Sequence, residues 1–253
     1  NLVSRIKSAK KYDENLPNLL LYGVPGTGKT AFAKALAGES GLNYALTSGS
    51  EFAKITDLSV ANDELRDLLE WAQDDEKGLI VFIDEAESLF ANRKLPTTSK
   101  SAQDFVNTFL ALIPEKTQKN LMFIFATNHP FKLDDAIMDR IGPKIEFTLP
   151  AAAEREKILV KYLRSFAQEN KDAIVSIHPD IVNKLPEYAE SLEGLSPRSI
   201  KFIAEEMIVS ARRRKDKQLT HDIVQTILND AKHDVQQATQ WEQERRKWVS
   251  ALG

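Results

Sequence analysis

The chain has 253 residues, 42 % of them hydrophobic and 28 % charged, with a formal net charge of −3. That length suits one large domain or two modest ones, each able to bury a core, and the composition excludes a disordered chain. The mildly acidic balance gives no reason to expect nucleic acid, and the absence of cysteine excludes disulfides and thiolate metal sites and is compatible with a reducing intracellular compartment.

In chain order, residues 2–11 read as a helix. An opening inside a helix, with no signal peptide ahead of it, leads us to expect a fragment whose upstream region is missing. Residues 19–22 form a short apolar strand, followed by a glycine-rich turn and a helix over 31–38. Residues 44–47 are a second short strand and 63–73 a helix. The runs 79–83 and 121–126 are apolar at every position, as in strands buried on both faces of a parallel sheet. They fall far short of the ~20 residues that span a bilayer. Residues 102–113 carry Phe105, Phe109 and Leu112 at helical spacing, and 144–147 supply a fifth strand. This alternation implies an α/β fold with a parallel five-stranded sheet and right-handed crossovers. After Pro150 the strands stop. Residues 154–168, 179–190, 197–214 and 220–234 read as helices, and 236–252 as one more. The boundary at Leu149-Pro150 gives an α/β domain over 1–150 and a smaller all-helical domain over 151–253.

The segment Gly23-Val24-Pro25-Gly26-Thr27-Gly28-Lys29-Thr30 matches the phosphate-loop pattern G-x-x-x-x-G-K-[ST] in full. Its glycines let the backbone wrap so that successive N–H groups point at phosphate oxygens, and the helix beginning at Lys29 and Thr30, with Ala31 next, adds its positive dipole end. Lys29 is expected to reach the β- and γ-phosphates of ATP, and Thr30 to place a hydroxyl on Mg²⁺. The buried strand 79–83 runs directly into Asp84-Glu85, two carboxylates at the end of a parallel strand where α/β sheets bind ligands. Asp84 is expected to hold the Mg²⁺ shell and Glu85 to polarise the attacking water. Taken alone, these acids are equally well read as caps of the helix that Ala86-Glu87-Ser88-Leu89 continues; beside the phosphate loop the catalytic reading prevails.

These segments resemble Walker A and Walker B of the AAA ATPases, and further signatures follow in order. Ala126-Thr127-Asn128 resembles sensor 1, which implies that Asn128 orients the lytic water. The stretch from Leu133 to Arg140 resembles the one that supplies the arginine finger, although most members carry a second arginine and a Pro-Gly there. The resemblance implies that Arg140 acts in trans on a neighbour's γ-phosphate, hence a ring of identical subunits, a hexamer; without it, Arg140 reads as a solvated surface residue. Arg155-Glu156-Lys157-Ile158-Leu159 resembles the first helix of the family's lid, which implies Ile158 near adenine. Gly194-Leu195-Ser196-Pro197-Arg198 resembles sensor 2, with Arg198 reaching the γ-phosphate of its own chain; the alternative is a charged residue in a helix's first turn. The implied architecture is a P-loop NTPase core followed by a helical lid, with ATP between them.

Within the family the chain resembles the mitochondrial inner-membrane group called ATPase family AAA domain-containing protein three. Tyr22, Trp71-Ala72, Met138-Asp139-Arg140-Ile141, the segment from Ser196 to Ile200, and Asp234-Val235-Gln236-Gln237 leading to Trp248 carry that likeness. Val24, where a second proline is usual, and Pro143-Lys144 depart from it, and a bacterial relative fits those departures. The implied location is the matrix side of the inner membrane in a eukaryote and the cytoplasm in a bacterium.

The segment Glu51-Phe52-Ala53-Lys54-Ile55-Thr56-Asp57 lacks the aromatic-Val-Gly with which the family's unfoldases grip polypeptide; Ile55 is a weak grip and Phe52 reads as core. The basic run from Ala211 to Lys215 reads as a solvated helix face. His129 follows sensor 1, but the four histidines lack metal-ligand spacing. Trp241 and Trp248 share one helix face, facing either the lid or a neighbour. The expected function is ATP hydrolysis coupled to remodelling of a protein or membrane-associated assembly, contacted through the missing upstream region. The alternatives are a slow nucleotide-controlled scaffold and a DNA-directed ATPase, the latter disfavoured by the acidic balance and the lack of a DNA-binding motif.

Overall fold

A computed structural model of the chain describes residues 2–12, 14–52, 67, 70–71, 77–92, 100–112, 120–169 and 174–231, with the side chains of all of these but 51, 52, 100–102, 105 and 112. The expected helix over 63–73 is described at Asp67, Glu70 and Trp71, each helical. The pore segment from Ala53 to Asp57, the tail over 236–252 with Trp241 and Trp248, and the side chains of Phe52, Phe105 and Leu112 lie outside the described residues. Among the described residues no helix is long and apolar enough to cross a membrane.

Five parallel strands, β1 (Leu19–Gly23), β2 (Asn43–Ser48), β3 (Leu79–Asp84), β4 (Leu121–Thr127) and β5 (Lys144–Phe147), form one sheet in the order β2-β3-β4-β1-β5. Every residue of β4 is buried, and all of β3 except Asp84. The two-residue period of a strand sends successive side chains to opposite faces, so each face has its own core. Val81, Ile83, Phe123 and Phe125 pack with Leu89, Phe90, Val106 and Phe109 on one side. Ile80, Phe82, Ile124 and Ala126 pack with Ile6, Ala33, Leu36 and Ala37 on the other. The helices supplying these partners include α1 (Leu2–Lys11), α2 (Lys29–Ser40), α4 (Ala86–Leu89) and α5 (Lys100–Leu112), with α3 (Gly49–Phe52) after β2 and α6 (Asp135–Arg140) before β5. Tyr22 pairs with Thr127, Gly23 with Phe147 and Ser48 with Asp84. Parallel pairing therefore brings the carboxyl ends of the strands to one edge of the sheet.

The chain packs into two compact units, one of residues 1–23 and 29–147, the other of residues 24–28 and 148–253. In the second unit α7 (Ala152–Glu169), α8 (Pro179–Asn183), α9 (Leu185–Ser191), α10 (Pro197–Arg212) and α11 (His221–Ala231) enclose a core that includes Leu159, Leu163, Tyr188, Ile203 and Met207. Two expectations are corrected here. The single helix over 179–190 is two helices that meet at Lys184, because Pro186 has no N–H to donate and its ring clashes with the carbonyl one turn back. Strands do not stop after Pro150, since Ser176–Ile177 pairs in parallel with Gln218–Leu219. Two residues are too few to show an alternation, so this ladder left no pattern in the sequence.

Candidate nucleotide site

The loop after β1 turns sharply because Gly23 takes φ +141°. A Cβ there would lie 2.1 Å from the Phe147 carbonyl oxygen, so no other residue fits against β5. Thr27 Oγ1 donates to the Val24 carbonyl at 2.7 Å and closes the turn. The next residues open α2, and Lys29, only 7 % exposed, directs its ammonium to the carboxyl ends of β1 and β4. Its Nζ donates to the Gly23 carbonyl at 2.9 Å and to Asn128 Oδ1 at 2.7 Å. The expected sensor residue and the expected phosphate-binding lysine thus meet directly.

Thr30 Oγ1 donates to Asp84 Oδ2 at 3.1 Å, which joins the first turn of α2 to the end of β3. A hydroxyl beside a carboxylate is a set of hard oxygen donors, and this pair fits Mg²⁺ with water and phosphate completing its shell. No cluster of three or more His, Asp or Glu side chains suited to a metal occurs among the described residues. Tyr44 stacks on Phe82 with ring centroids 6.4 Å apart. Burial raises the pKa of its phenol, and the Asp84 carboxylate pushes it the same way.

Glu85 follows in the left-handed conformation, φ 51° and ψ 44°, and its side chain does not cap α4. The helix-capping alternative therefore does not describe it: the Asp84 carboxylate accepts the Glu85 N–H at 3.0 Å, and the Glu85 carboxylate is exposed. A non-glycine residue held left-handed costs on the order of 1–2 kcal/mol and marks a place where the backbone re-aims a side chain. Two neighbours that sequence reasoning passed over define its setting. Ser48 Oγ donates to Glu85 Oε2 at 3.4 Å and shares a 2.7 Å hydrogen bond with Ser50. A Cβ on Gly49 would lie 2.5 Å from the Glu85 carbonyl oxygen. The signal available in the sequence was the small polar run Thr47-Ser48-Gly49-Ser50 at the end of a strand.

Arg140 lies apart from this group. Its guanidinium donates to the Leu110 carbonyl of α5, beside a small recess that also touches Asn18, Phe109 and Ile137. Asn18 sits just before β1, at the opposite end of that strand from Gly23. The guanidinium therefore serves a main-chain carbonyl within its own chain.

In the second unit Ile158 is half-buried against the helical core. Arg155, 8 % exposed, donates from Nε to the Ala189 carbonyl at 2.7 Å and from a terminal nitrogen to the Pro150 carbonyl at 2.8 Å. Arg198 is exposed, and its main-chain N–H donates to the Gly26 carbonyl at 3.2 Å. Ser196 caps α10 by accepting the Ser199 N–H at 3.2 Å.

Comparison with known proteins agrees with this geometry. The model of the ATPase family associated with various cellular activities (AAA) matches residues 19–149, more than half of the chain. The chain is 33 % identical over 239 residues to human ATPase family AAA domain-containing protein 3A, covering 93 % of this chain and 40 % of the relative. It is 34 % identical over 230 residues to ATPase family AAA domain-containing protein 3 of Caenorhabditis elegans, covering 88 % and 38 %. The chain thus spans about two fifths of the length of these relatives. The phosphate loop, the acidic end of β3 and the polar end of β4 all lie within the matched span, and the chain belongs to the AAA family of ATPases.

Proposed function

We propose that this chain binds ATP with Mg²⁺ and hydrolyses it as one subunit of a hexameric ring that remodels a protein or membrane-associated assembly. The observation that supports this most is the convergence of Lys29, Asn128, Thr30, Asp84 and Glu85 on the carboxyl ends of β1, β3 and β4.

The residues divide the work by their chemistry. The main-chain N–H groups of the loop from Gly23 to Ala31, Pro25 excepted, cradle the phosphates, and Lys29 exchanges its contacts with Gly23 and Asn128 for phosphate oxygens. Thr30 and Asp84 would hold magnesium, which when bound neutralises charge on the β- and γ-phosphate oxygens. Glu85, exposed and aimed by its left-handed backbone, accepts a proton from the attacking water, while Asn128 orients that water. Arg198 is assigned to the γ-phosphate of its own chain and Ile158 to the adenine. Arg140 is assigned to a neighbouring subunit's γ-phosphate, which requires it to leave the Leu110 carbonyl. The substrate or membrane-associated partner is assigned to regions of the whole protein beyond this span. A eukaryotic source would place the domain on the matrix side of the mitochondrial inner membrane, a bacterial one in the cytoplasm.

The test is phosphate release from ATP by the wild type and Glu85→Gln, with ATP binding measured in parallel. Glu85→Gln should bind ATP as the wild type does and lose about 10²–10⁴ in rate. A variant that turns over at the wild-type rate would remove Glu85 from the mechanism, and a wild type that binds no ATP would remove the reading as a whole.

A further inference from the structure

The geometry points to a positioning role for the first turn of α10: the main-chain N–H of Arg198 pre-orients the phosphate loop at the Gly26–Thr27 peptide, and Ser196 holds it in register. This rests on the reading that the loop binds nucleotide phosphates, and it concerns the backbone of residue 198 rather than its guanidinium.

Gly26 takes φ +77°, and its carbonyl accepts the Arg198 N–H at 3.2 Å. A Cβ at position 26 would lie 2.7 Å from Ser196 Oγ and 2.8 Å from Arg198 Cβ, so the loop rests against the start of the helix with no space to spare. The first N–H groups of a helix have no partner inside it. Ser196, 9 % exposed, satisfies that of Ser199 as the N-cap. Pro197 has none to offer. Arg198 is left with a donor free to point outward, and the Gly26 carbonyl takes it.

The consequence follows from peptide geometry. A trans peptide directs its C=O and N–H to opposite sides. With the Gly26 carbonyl fixed on Arg198, the Thr27 N–H is turned the other way, toward the inside of the loop where phosphate oxygens bind. A peptide next to glycine otherwise flips at little cost. The helix start removes that freedom before nucleotide arrives, and an ordering cost met in advance appears as affinity.

The experiment uses the whole chain and ADP, whose phosphates engage the loop without the γ-phosphate assigned to the Arg198 side chain. Arg198→Ala keeps the N–H, whereas Arg198→Pro removes it at the second helical position, where that N–H has no intrahelical partner to lose. Calorimetric ADP affinity should be about fivefold lower in Arg198→Pro than in Arg198→Ala, the worth of one hydrogen bond. Ser196→Ala should also weaken ADP binding, and Ser196→Thr, which retains a capping hydroxyl, should restore it. The ADP-induced rise in Tm should shrink in step with affinity, which a loss of helix stability alone would not cause. Equal ADP affinity in Arg198→Pro and Arg198→Ala overturns the inference. If circular dichroism shows Arg198→Pro unfolded, the serine pair decides: equal affinity in Ser196→Ala and Ser196→Thr overturns it, and loss with rescue supports it. A wild type that binds neither ADP nor ATP refutes the ATPase reading itself, whereas a binding wild type with indifferent variants refutes only the positioning role.

Discussion

Lys29 Nζ donates to Asn128 Oδ1 at 2.7 Å, so the lysine assigned to phosphate is held by the residue that follows the adjacent strand. The contact makes the charge at position 128 decisive. Asn128→Ala should still bind ATP and lose about 10²-fold in turnover, the usual effect of removing one positioned polar group. Asn128→Asp should lower ATP affinity more than Asn128→Ala does, because a carboxylate would pair with the ammonium and repel phosphate. Lys29→Ala should abolish binding. Calorimetric titration of the three variants with ATP checks the order.

Gly49 touches the Glu85 carbonyl, where an added Cβ would lie at 2.5 Å. Gly49→Ala should therefore displace Glu85 while leaving Lys29 and Thr30 in place. We expect kcat to fall by about 10²-fold, the scale of a misplacement near 1 Å, with ADP affinity unchanged. Parallel loss of rate and affinity would mean that the whole sheet edge had moved.

Arg140 tests assembly. If it completes a neighbour's site, Arg140→Ala should bind ATP and lose a large part of the ~10³–10⁵ in rate that such a residue contributes in P-loop enzymes. Mixing Arg140→Ala with Lys29→Ala should restore hydrolysis, since the second variant keeps its arginine and lends it to an intact pocket next door. Specific activity should also fall on dilution. Flat activity over a wide dilution series, with no rescue in the mixture, would confine Arg140 to its contact with Leu110.

Arg155 should govern the stability of the helical unit. Its guanidinium reaches two carbonyls, those of Pro150 and Ala189, from a buried position. Arg155→Met would leave both without their donor, at about 1–3 kcal/mol for each buried group left unsatisfied. Arg155→Lys should rescue little, because one compact ammonium cannot match a planar fork. Thermal unfolding should show both variants well below wild type; a Tm for Arg155→Lys equal to wild type would refute the two-carbonyl account.

The sequence by itself determined the strands 79–83 and 121–126, the phosphate loop and the acidic pair Asp84-Glu85. Continuous apolar runs can only be buried strands or helices, and a loop that wraps phosphate needs glycine at fixed positions. It also carried the family, because those positions are spaced along the chain itself. Tertiary structure alone decided what meets what. Asn128 finding Lys29, and Ser48 and Gly49 framing Glu85, are contacts between residues far apart in the chain, set by strand order and register. Arg155 reaching Ala189 is another long-range contact, set by the packing of α7 against α9. The left-handed backbone of Glu85 belongs to the same class, since local propensity disfavours it and only surrounding contacts hold it there. The two-residue ladder of Ser176–Ile177 with Gln218–Leu219 was hidden for another reason: elements that short carry too few residues to show a period, and packing rather than pattern decides whether they form. The break at Lys184, by contrast, was legible in Pro186.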